Sequence, residues 1–425
     1  MKLKHFESVS KLADQFSDLP IEAVFKQDIL REGLSFSPDS LRIASGYKPK
    51  DYFIFSFDLI PIAEMQQEEH LRAPEEIQFR GGSRDLLPTI VSVRVNPNSP
   101  WQVRLQEGQL RLYCEEEEIS EVLYHPVPAY YKRQMSNGKA LGEVAPVIEW
   151  GYLIYLTVYR MCQYFNREEQ CQFCDLNRNY EQQRKAGRPY TAVKSEAEIL
   201  EALLYIKEED TVAKALTITG GSIIENLRGE GEVSFYARYA KAIQEQFSDR
   251  WIIKAVVQAF TRDDCKLLKD SGVRIYHPNY EVWDPKLFPL ICPGKTRVIG
   301  RDEWIARIVD SAEVFGPECV IPNFVAGVEM NQNYGYSDVE EAISSTKAGL
   351  EFFMSKGIMP RFTSWCPEPH AKLGPQPAPP LLYFCRLLQE FRDTFRKYQL
   401  PEPIGYGPVG AGKAVFSVSA FMDVL

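Results

Sequence analysis

Residues 152–174 read YLIYLTVYRMCQYFNREEQCQFC. The apolar run from Tyr152 to Val158 predicts a buried strand, and Cys162, Cys171 and Cys174 follow on the loop that leaves it. Cysteines at ligand-like spacing indicate a metal or iron–sulfur site. Three thiolates can bind three irons of a four-iron cubane, which leaves the fourth iron open, as catalytic metal sites generally require. This loop is the first candidate for the functional site.

Two other interpretations of the three cysteines remain open: a zinc site and three unrelated thiols. Zinc would need a fourth ligand, and the next histidine, His277, follows Cys174 after more than 100 residues. The six other cysteines, at positions 114, 265, 292, 319, 366 and 385, are scattered without ligand-like spacing. The spacing favours cluster binding over both alternatives.

From this stretch onward the chain repeats a strand–loop–helix pattern six times. The pattern predicts strands near 152–158, 215–219, 251–257, 273–280, 319–325 and 358–364. It predicts helices near 196–208, 233–247, 262–271, 301–315, 338–356 and 379–398. Successive βα units specify a parallel sheet, and six of them predict a partial (β/α)6 barrel of the TIM type, with chemistry at the C-terminal strand ends.

The preceding part of the chain has a different pattern. Alternating runs at 52–62, 89–97 and 101–114 predict strands, and 126–146 is rich in turn-forming residues. The fold class is therefore α/β, with a smaller β-rich α+β domain before the barrel. We predict an accessory domain at 1–145, the partial barrel at 146–400, and a C-terminal tail at 401–425 that caps the barrel or its open edge.

Composition excludes several classes of function. Lys and Arg total 49 against 58 Asp and Glu, for a net charge of −9, and no basic stripe is present. This balance predicts that nucleic acid is not a partner. No run of about 18 apolar residues occurs and the N-terminus lacks an apolar signal core, so we predict a cytoplasmic protein with no membrane partner.

The cysteine loop after the first barrel strand resembles that of the radical S-adenosylmethionine superfamily, over about residues 148–400. In that family a CxxxCxφC loop, where φ is aromatic, follows the first strand of a six-unit partial barrel, and Phe173 falls on the aromatic position. The resemblance implies that Cys162, Cys171 and Cys174 bind a [4Fe–4S] cluster whose open iron is chelated by S-adenosylmethionine. One feature departs from the family: eight residues separate Cys162 from Cys171. Lengthening a loop from three residues to eight costs roughly 1 kcal/mol, so the longer spacer is tolerable.

The resemblance also implies positions that contact S-adenosylmethionine. Gly220 and Gly221 end the second strand and match the glycine pair whose backbone approaches the amino group; Ser222 replaces a frequent Glu. Glu281 follows the fourth strand, as an acidic or polar group does in the biotin-synthase-like branch. Asn323 and Gly327 match the fifth-strand motif beside the adenine.

Three further residues follow predicted strands. Gln258, at the end of the third strand, is a candidate for cofactor binding, with an ordinary loop residue as the alternative. Cys366 and His370 follow the sixth strand and are weak candidates for catalysis. A lone cysteine is most often a small buried hydrophobe, and His370 is equally a solvated loop residue.

The resemblance implies an enzyme that cleaves S-adenosylmethionine reductively and uses the 5′-deoxyadenosyl radical to abstract hydrogen from a small biosynthetic substrate. It further implies a flavodoxin- or ferredoxin-type electron donor. Two alternatives from other classes are a non-enzymatic iron–sulfur sensor or electron carrier, and a zinc-stabilised scaffold. Neither explains glycines and a carboxylate at successive strand ends. The sequence does not name the substrate.

Overall fold

A computed structural model describes residues 4–42, 46–50, 57–61, 72–187 and 190–425. Its N-terminal part holds a six-stranded sheet in the order β1-β4-β5-β6-β2-β3. These strands are β1 Ser35–Phe36, β2 Glu76–Gly81, β3 Leu86–Ser92, β4 Trp101–Gln106, β5 Gln109–Cys114 and β6 Glu117–Tyr124. The predicted strand pair at 101–114 is confirmed, with its turn at Glu107 and Gly108. Most of the strand predicted at 52–62 lies outside the described residues.

Within the described residues, three helices accompany this sheet, α1 His5–Gln15, α2 Ile21–Glu32 and α3 Pro38–Arg42. Helix α2 is buried along most of its length. Asp28 on α2 accepts a hydrogen bond from Trp101 Nε1 at 2.7 Å and from the His5 ring at 2.6 Å. The helix therefore joins the first helix to the sheet through one buried carboxylate.

The second sheet supplies the barrel wall. It has five strands, β7 Val147–Ile148, β8 Leu153–Tyr159, β9 Ala215–Gly220, β10 Ile252–Val257 and β11 Ile275–Pro278. A two-stranded sheet of β12 Asn323–Ala326 and β13 Arg361–Ser364 completes the wall. Strands β8 to β11 are parallel neighbours, as are β12 and β13. Parallel bridges from Tyr276 to Val320 and from Glu281 to Phe324 connect β11 to β12. The predicted mixed α/β fold and its six parallel strands are confirmed.

Helices alternate with these strands. They are α4 Leu141–Val144, α5 Leu176–Lys185, α6 Glu196–Glu209, α7 Glu232–Phe247, α8 Arg262–Asp270, α9 Leu287–Ile291, α10 Pro293–Val298, α11 Arg301–Phe315, α12 Val339–Met354 and α13 Leu381–Lys397. Ser195 caps α6 by accepting from the Glu198 amide at 3.2 Å, as the sequence predicts. Helices α9 and α10 were not predicted, because their apolar PLICPG stretch contains two prolines and no helical periodicity.

Alternate residues of the strands point into the barrel. Leu153 and Tyr155 on β8, Thr217 and Thr219 on β9, Lys254 and Val256 on β10, and Arg361 and Thr363 on β13 all line one internal cavity. This spacing of two follows from the pleat, which sends successive side chains to opposite faces. The barrel interior is therefore partly polar.

The C-terminal tail runs along β13. The Ser364 amide donates to Val418 O at 3.1 Å, and Ser419 Oγ donates to Phe362 O at 2.7 Å. Lys26 on α2 meets Asp423 in a fully buried salt bridge of 2.8 Å. The tail thus lies beside the last strand and contacts helix α2; its role as a cap and the domain boundaries at 145 and 400 stay predictions. Among the described residues, no helix is long and apolar enough to span a membrane.

Candidate functional site

The C-terminal strand ends surround one cavity, with about 1620 Å³ of space between its walls when its open mouth is counted. Eleven of the predicted site residues line it: Cys162, Cys171, Phe173, Cys174, Gly220, Gly221, Ser222, Gln258, Glu281, Asn323 and Cys366. The strand ends converge because all six strands run in one direction. Tertiary structure therefore brings together residues that are up to 204 positions apart in the sequence.

Cys162 is held by backbone contacts at the end of β8. Its amide donates to Asn177 Oδ1 at 2.8 Å, and Asn177 Nδ2 donates back to Cys162 O at 3.2 Å. The neighbouring Gln163 amide donates to Ser222 O at 2.9 Å. These bonds connect the cysteine loop to α5 on one side and to the end of β9 on the other.

The eight-residue spacer is a packed part of the structure. A 3-10 turn, Gln163–Arg167, places Tyr164 in the core, where its hydroxyl donates to Gln258 Oε1 at 2.9 Å. The Gly294 amide donates to Glu169 O at 3.0 Å, and Arg297 forms a 2.7 Å salt bridge with Glu169. The spacer therefore rests on α10, which explains why a longer loop still returns Cys171 to the cavity.

The three thiols have different environments. A hydrogen bond from Cys292 lowers the pKa of Cys171, whereas burial raises the pKa of Cys162 to about 12 and that of Cys174 well above its usual range. Without a cation close to them, buried thiols stay protonated, because burial disfavours the charged thiolate. A bound metal cluster would reverse this rise in pKa, since coordination deprotonates thiols outright.

The spacing of the sulfur atoms distinguishes between metals. The three Sγ atoms do not all lie within 4.8 Å of one another, whereas a zinc tetrahedron with bonds of about 2.3 Å needs sulfurs roughly 3.8 Å apart. A four-iron cubane is larger than a single ion and holds its ligands further apart. Three cysteines around one open cavity are thus compatible with a cluster that leaves one iron free.

Gly220 and Gly221 are required by packing. A Cβ on Gly221 would lie 2.0 Å from Met161 O and 2.5 Å from Cys162 Cβ, and one on Gly220 would lie 2.4 Å from Tyr159 O. The pair therefore lets the end of β9 touch the start of the cysteine loop. This requirement exists whether or not the backbone also approaches a cofactor.

We expect Gly221→Ala to displace Cys162 and lower the iron bound after reconstitution to less than half of wild type. Overpacking of this kind costs about 1–3 kcal/mol, and thermal unfolding would show it. Gly231→Ala is the matched control, because a Cβ there meets nothing within 4 Å. Equal iron content in both variants would contradict the prediction.

A buried carboxylate, Glu232, lies behind the cysteine loop. It accepts from the Ile223 amide at 2.7 Å and from Gln258 Nε2. Burial raises its pKa to about 7. Gln258 thus bridges Glu232 and Tyr164 and serves as a positioning residue for the spacer as well as a residue of the cavity wall.

Glu232 gives stability a pH dependence with a defined sign. The folded protein holds this proton up to about pH 7 while the unfolded chain loses it near 4.5, so stability falls with pH between these values, by up to about 1.4 kcal/mol per unit. We expect Glu232→Gln to lose this slope and to gain stability relative to wild type at pH 8. Chemical denaturation at pH 5 and pH 8 would test this; an unchanged difference between the two proteins would contradict it.

Glu281 has a partner in the protein. Lys295, on α10, approaches its Oε1 at 2.6 Å and also donates to Asn279 O at 3.0 Å. Both side chains are about nine-tenths buried, and Glu281 has a φ of 64°, which is rare for a residue with a side chain. The carboxylate lines the cavity with its charge balanced by the protein rather than by a ligand alone.

Of the other predicted residues, some line the cavity and some do not. Asn323 Oδ1 accepts from Thr363 Oγ1 at 3.2 Å inside the cavity. Gly327 and His370 are not among the lining residues; Gly327 has a φ of 97°, and a Cβ there would lie 2.6 Å from Pro379. Cys366 lines the cavity but is 3% exposed, and burial raises its pKa above the usual range. The structure thus gives Gly327 a role in backbone geometry, and it makes Cys366 a poor thiolate.

Close to the cysteine loop, sequence reasoning missed Glu232, Cys292 and Lys295. Glu232 opens helix α7, and the other two belong to the short helices α9 and α10 and the residue that joins them. Their positions depend on where the loop after the fourth strand folds back. The proline pair around Cys292 marks a turn but does not reveal which thiol it faces.

No family model matches the chain. The chain is 22% identical over 318 residues to the bacteriochlorophyllide c C-7(1)-hydroxylase of Chlorobaculum limnaeum, which covers 72% of this chain and 75% of the hydroxylase. This homology confirms the prediction that the chain is an enzyme.

Two solved structures are similar to this chain at low TM-scores. Methylornithine synthase (PylB) gives a TM-score of 0.42 at 14% identity and covers 63% of this chain and 72% of its own. Coproporphyrinogen III oxidase (HemN) from Escherichia coli, a radical SAM enzyme, gives 0.36 at 14% identity, with 58% and 52% covered.

Proposed function

We propose that this enzyme is a radical S-adenosylmethionine enzyme that attacks a C–H bond of a small biosynthetic substrate. One observation carries the proposal: Cys162, Cys171 and Cys174 open onto a cavity lined by five parallel strands and by the segment that follows β11. When bound there, a reduced [4Fe–4S] cluster supplies the electron that cleaves the sulfonium of S-adenosylmethionine and yields the 5′-deoxyadenosyl radical. The homology with a hydroxylase supports modification of a carbon centre as the reaction class.

The chain's own residues supply ligands, positioning and exclusion of water. The three thiols would hold the cluster, and Asn177 and Ser222 fix the loop that carries them. Phe173 packs against the apolar group around Trp365 and Val325 at the mouth. The Glu281–Lys295 pair and Asn323 offer the polar atoms toward a bound nucleoside. The walls of the cavity would shield a radical from much of the solvent.

The branch and partners are part of the same proposal. The polar strand-four end at Glu281 supports the biotin-synthase-like branch, and no second cysteine cluster with ligand spacing occurs in the sequence. A single cluster must be reduced from outside, so we propose a flavodoxin- or ferredoxin-type donor. The cavity mouth, where the cysteine loop reaches the surface, is where such a donor would approach.

Anaerobic reconstitution with iron and sulfide tests the proposal directly. We expect about four irons and four sulfides per chain, an electron paramagnetic resonance signal after dithionite that changes on adding S-adenosylmethionine, and formation of 5′-deoxyadenosine. A cluster whose signal ignores S-adenosylmethionine and yields no nucleoside would favour the sensor or electron carrier. A colourless protein that retains zinc would favour the scaffold.

A further inference from the structure

The barrel floor holds three charged side chains that lie near one another without forming a close ion pair. We call Glu149, Lys254 and Arg361 the floor group; all three line the cavity that the cysteines open onto. Among the described residues, none of them forms a salt bridge within 4.0 Å with another charged group. Buried charges without partners are costly, so such a group indicates a place that a ligand completes.

Arg361 is the least satisfied of the three. Its Nε is buried without a hydrogen-bond partner, and its guanidinium lies 5.5 Å from the Phe416 ring centre and 5.8 Å from that of Tyr406. A planar guanidinium matches the two oxygens of a carboxylate better than any other side chain does. Arg361 therefore presents an open fork of donors to the cavity.

The other two members of the floor group, Lys254 and Glu149, also have few partners in the protein. Lys254 Nζ donates to Gly405 O at 2.9 Å and lies 3.6 Å from the Tyr406 ring centre. Glu149 is 3% exposed, and its Oε2 has no hydrogen-bond partner. Burial raises the pKa of Glu149 to about 7 and lowers that of Lys254 to about 7. Burial thus opposes both charges.

The floor group lies at the opposite end of the strands from the cysteines. Lys254 precedes the last residue of β10 by three positions, as Arg361 does in β13. Three residues of parallel strand span about 10 Å. S-Adenosylmethionine must place its methionine end at the cluster, so its own carboxylate belongs at the mouth rather than at the floor.

Resting on the proposed function, we infer that the substrate is an elongated molecule with a carboxylate that Arg361 binds at the barrel floor, about 10 Å from the carbon attacked. Lys254 assists with a second positive charge, and Glu149 opposes binding unless it is protonated or meets a donor on the substrate. This arrangement would orient the substrate by its anionic end and expose its other end to the radical.

Binding of 3-phenylpropionate and of its neutral amide, 3-phenylpropanamide, tests the inference in the full, reconstituted chain by anaerobic calorimetry. We expect the acid to bind wild type at least 10-fold more tightly than the amide, because charge-assisted hydrogen bonds are stronger than neutral ones. Arg361→Gln should remove this preference, Arg361→Lys should keep part of it, and Glu149→Gln should strengthen acid binding several-fold. Arg274→Gln, on an exposed arginine that precedes β11 and does not line the cavity, should change nothing.

Three outcomes would overturn the inference. Equal binding of acid and amide by wild type would do so without any variant, which covers the case in which Arg361→Gln does not fold. A preference for the acid that survives Arg361→Gln would also do so. Weaker binding of S-adenosylmethionine by Arg361→Gln, with acid binding unaffected, would assign the floor to the cofactor. If wild type prefers the acid but makes no 5′-deoxyadenosine, the proposed function fails while the carboxylate site stands.

Discussion

Cys171→Ala is expected to abolish reductive cleavage of S-adenosylmethionine, with 5′-deoxyadenosine reduced at least 1000-fold after reconstitution. Removal of one of three ligands leaves two thiols for a cluster that needs three protein bonds. Cys171 is the thiol with the lowered pKa, held low by the hydrogen bond from Cys292, and thiolates are the metal ligands. Iron content, visible absorption near the thiolate-to-iron band and nucleoside formation would be measured on the same anaerobic sample.

A cysteine outside the site provides the control for this variant. Cys265 is fully buried on α8, and its replacement by alanine should cost only packing, with iron and nucleoside unchanged. Cys292→Ala is the informative third variant: loss of its hydrogen bond should leave the cluster in place but make Cys171 a weaker ligand. Full activity in Cys171→Ala would rule out the three-thiol cluster.

Lys295→Met is expected to destabilise the fold by about 3–5 kcal/mol, because it leaves the Glu281 carboxylate buried without its partner. Burial by itself would lower the pKa of Lys295, but the adjacent Glu281 carboxylate raises it above its usual range. The ammonium also lies 4.3 Å from the Trp304 ring centre. Urea unfolding of the unreconstituted protein at pH 7.5 would measure the loss.

The matched double variant distinguishes a lost pair from lost packing. Glu281→Gln combined with Lys295→Met removes both charges and should recover at least half of the destabilisation. Lys286→Met, on an exposed lysine of the same loop, should change stability by less than 0.5 kcal/mol, as surface substitutions usually do. A double variant as unstable as Lys295→Met would show that packing, and not the carboxylate, sets the cost.

Much of the barrel could be predicted because its signals are local. Helix α11 begins and ends at the predicted residues, and strand β8 is displaced by one position from its prediction. Apolar runs, caps and glycine stops act over a few residues, so the sequence alone locates them. The short helices α9 and α10 were not predicted from the sequence, because prolines interrupt their periodicity.

The candidate site was predictable to the extent that it follows from strand direction. Cys162 and Gln258 lie just beyond strand ends, and parallel strands bring such ends to one face. Gly327 shows the limit of this reasoning: it follows β12, yet its φ of 97° turns the chain toward Pro379 rather than into the cavity.

The chain's own pattern of residues was sufficient for the six βα units and for a three-thiol loop after the first strand, because both depend on neighbours in sequence. Tertiary structure alone brought Lys295 to Glu281, Cys292 to Cys171, and Glu149, Lys254 and Arg361 to one barrel floor. The contact of Cys292 with Cys171 and the floor group join residues from different units of the barrel, whereas Lys295 and Glu281 lie 14 residues apart within one unit. Side-chain charge and hydrogen bonding depend on distance in space, which no periodicity along the chain encodes.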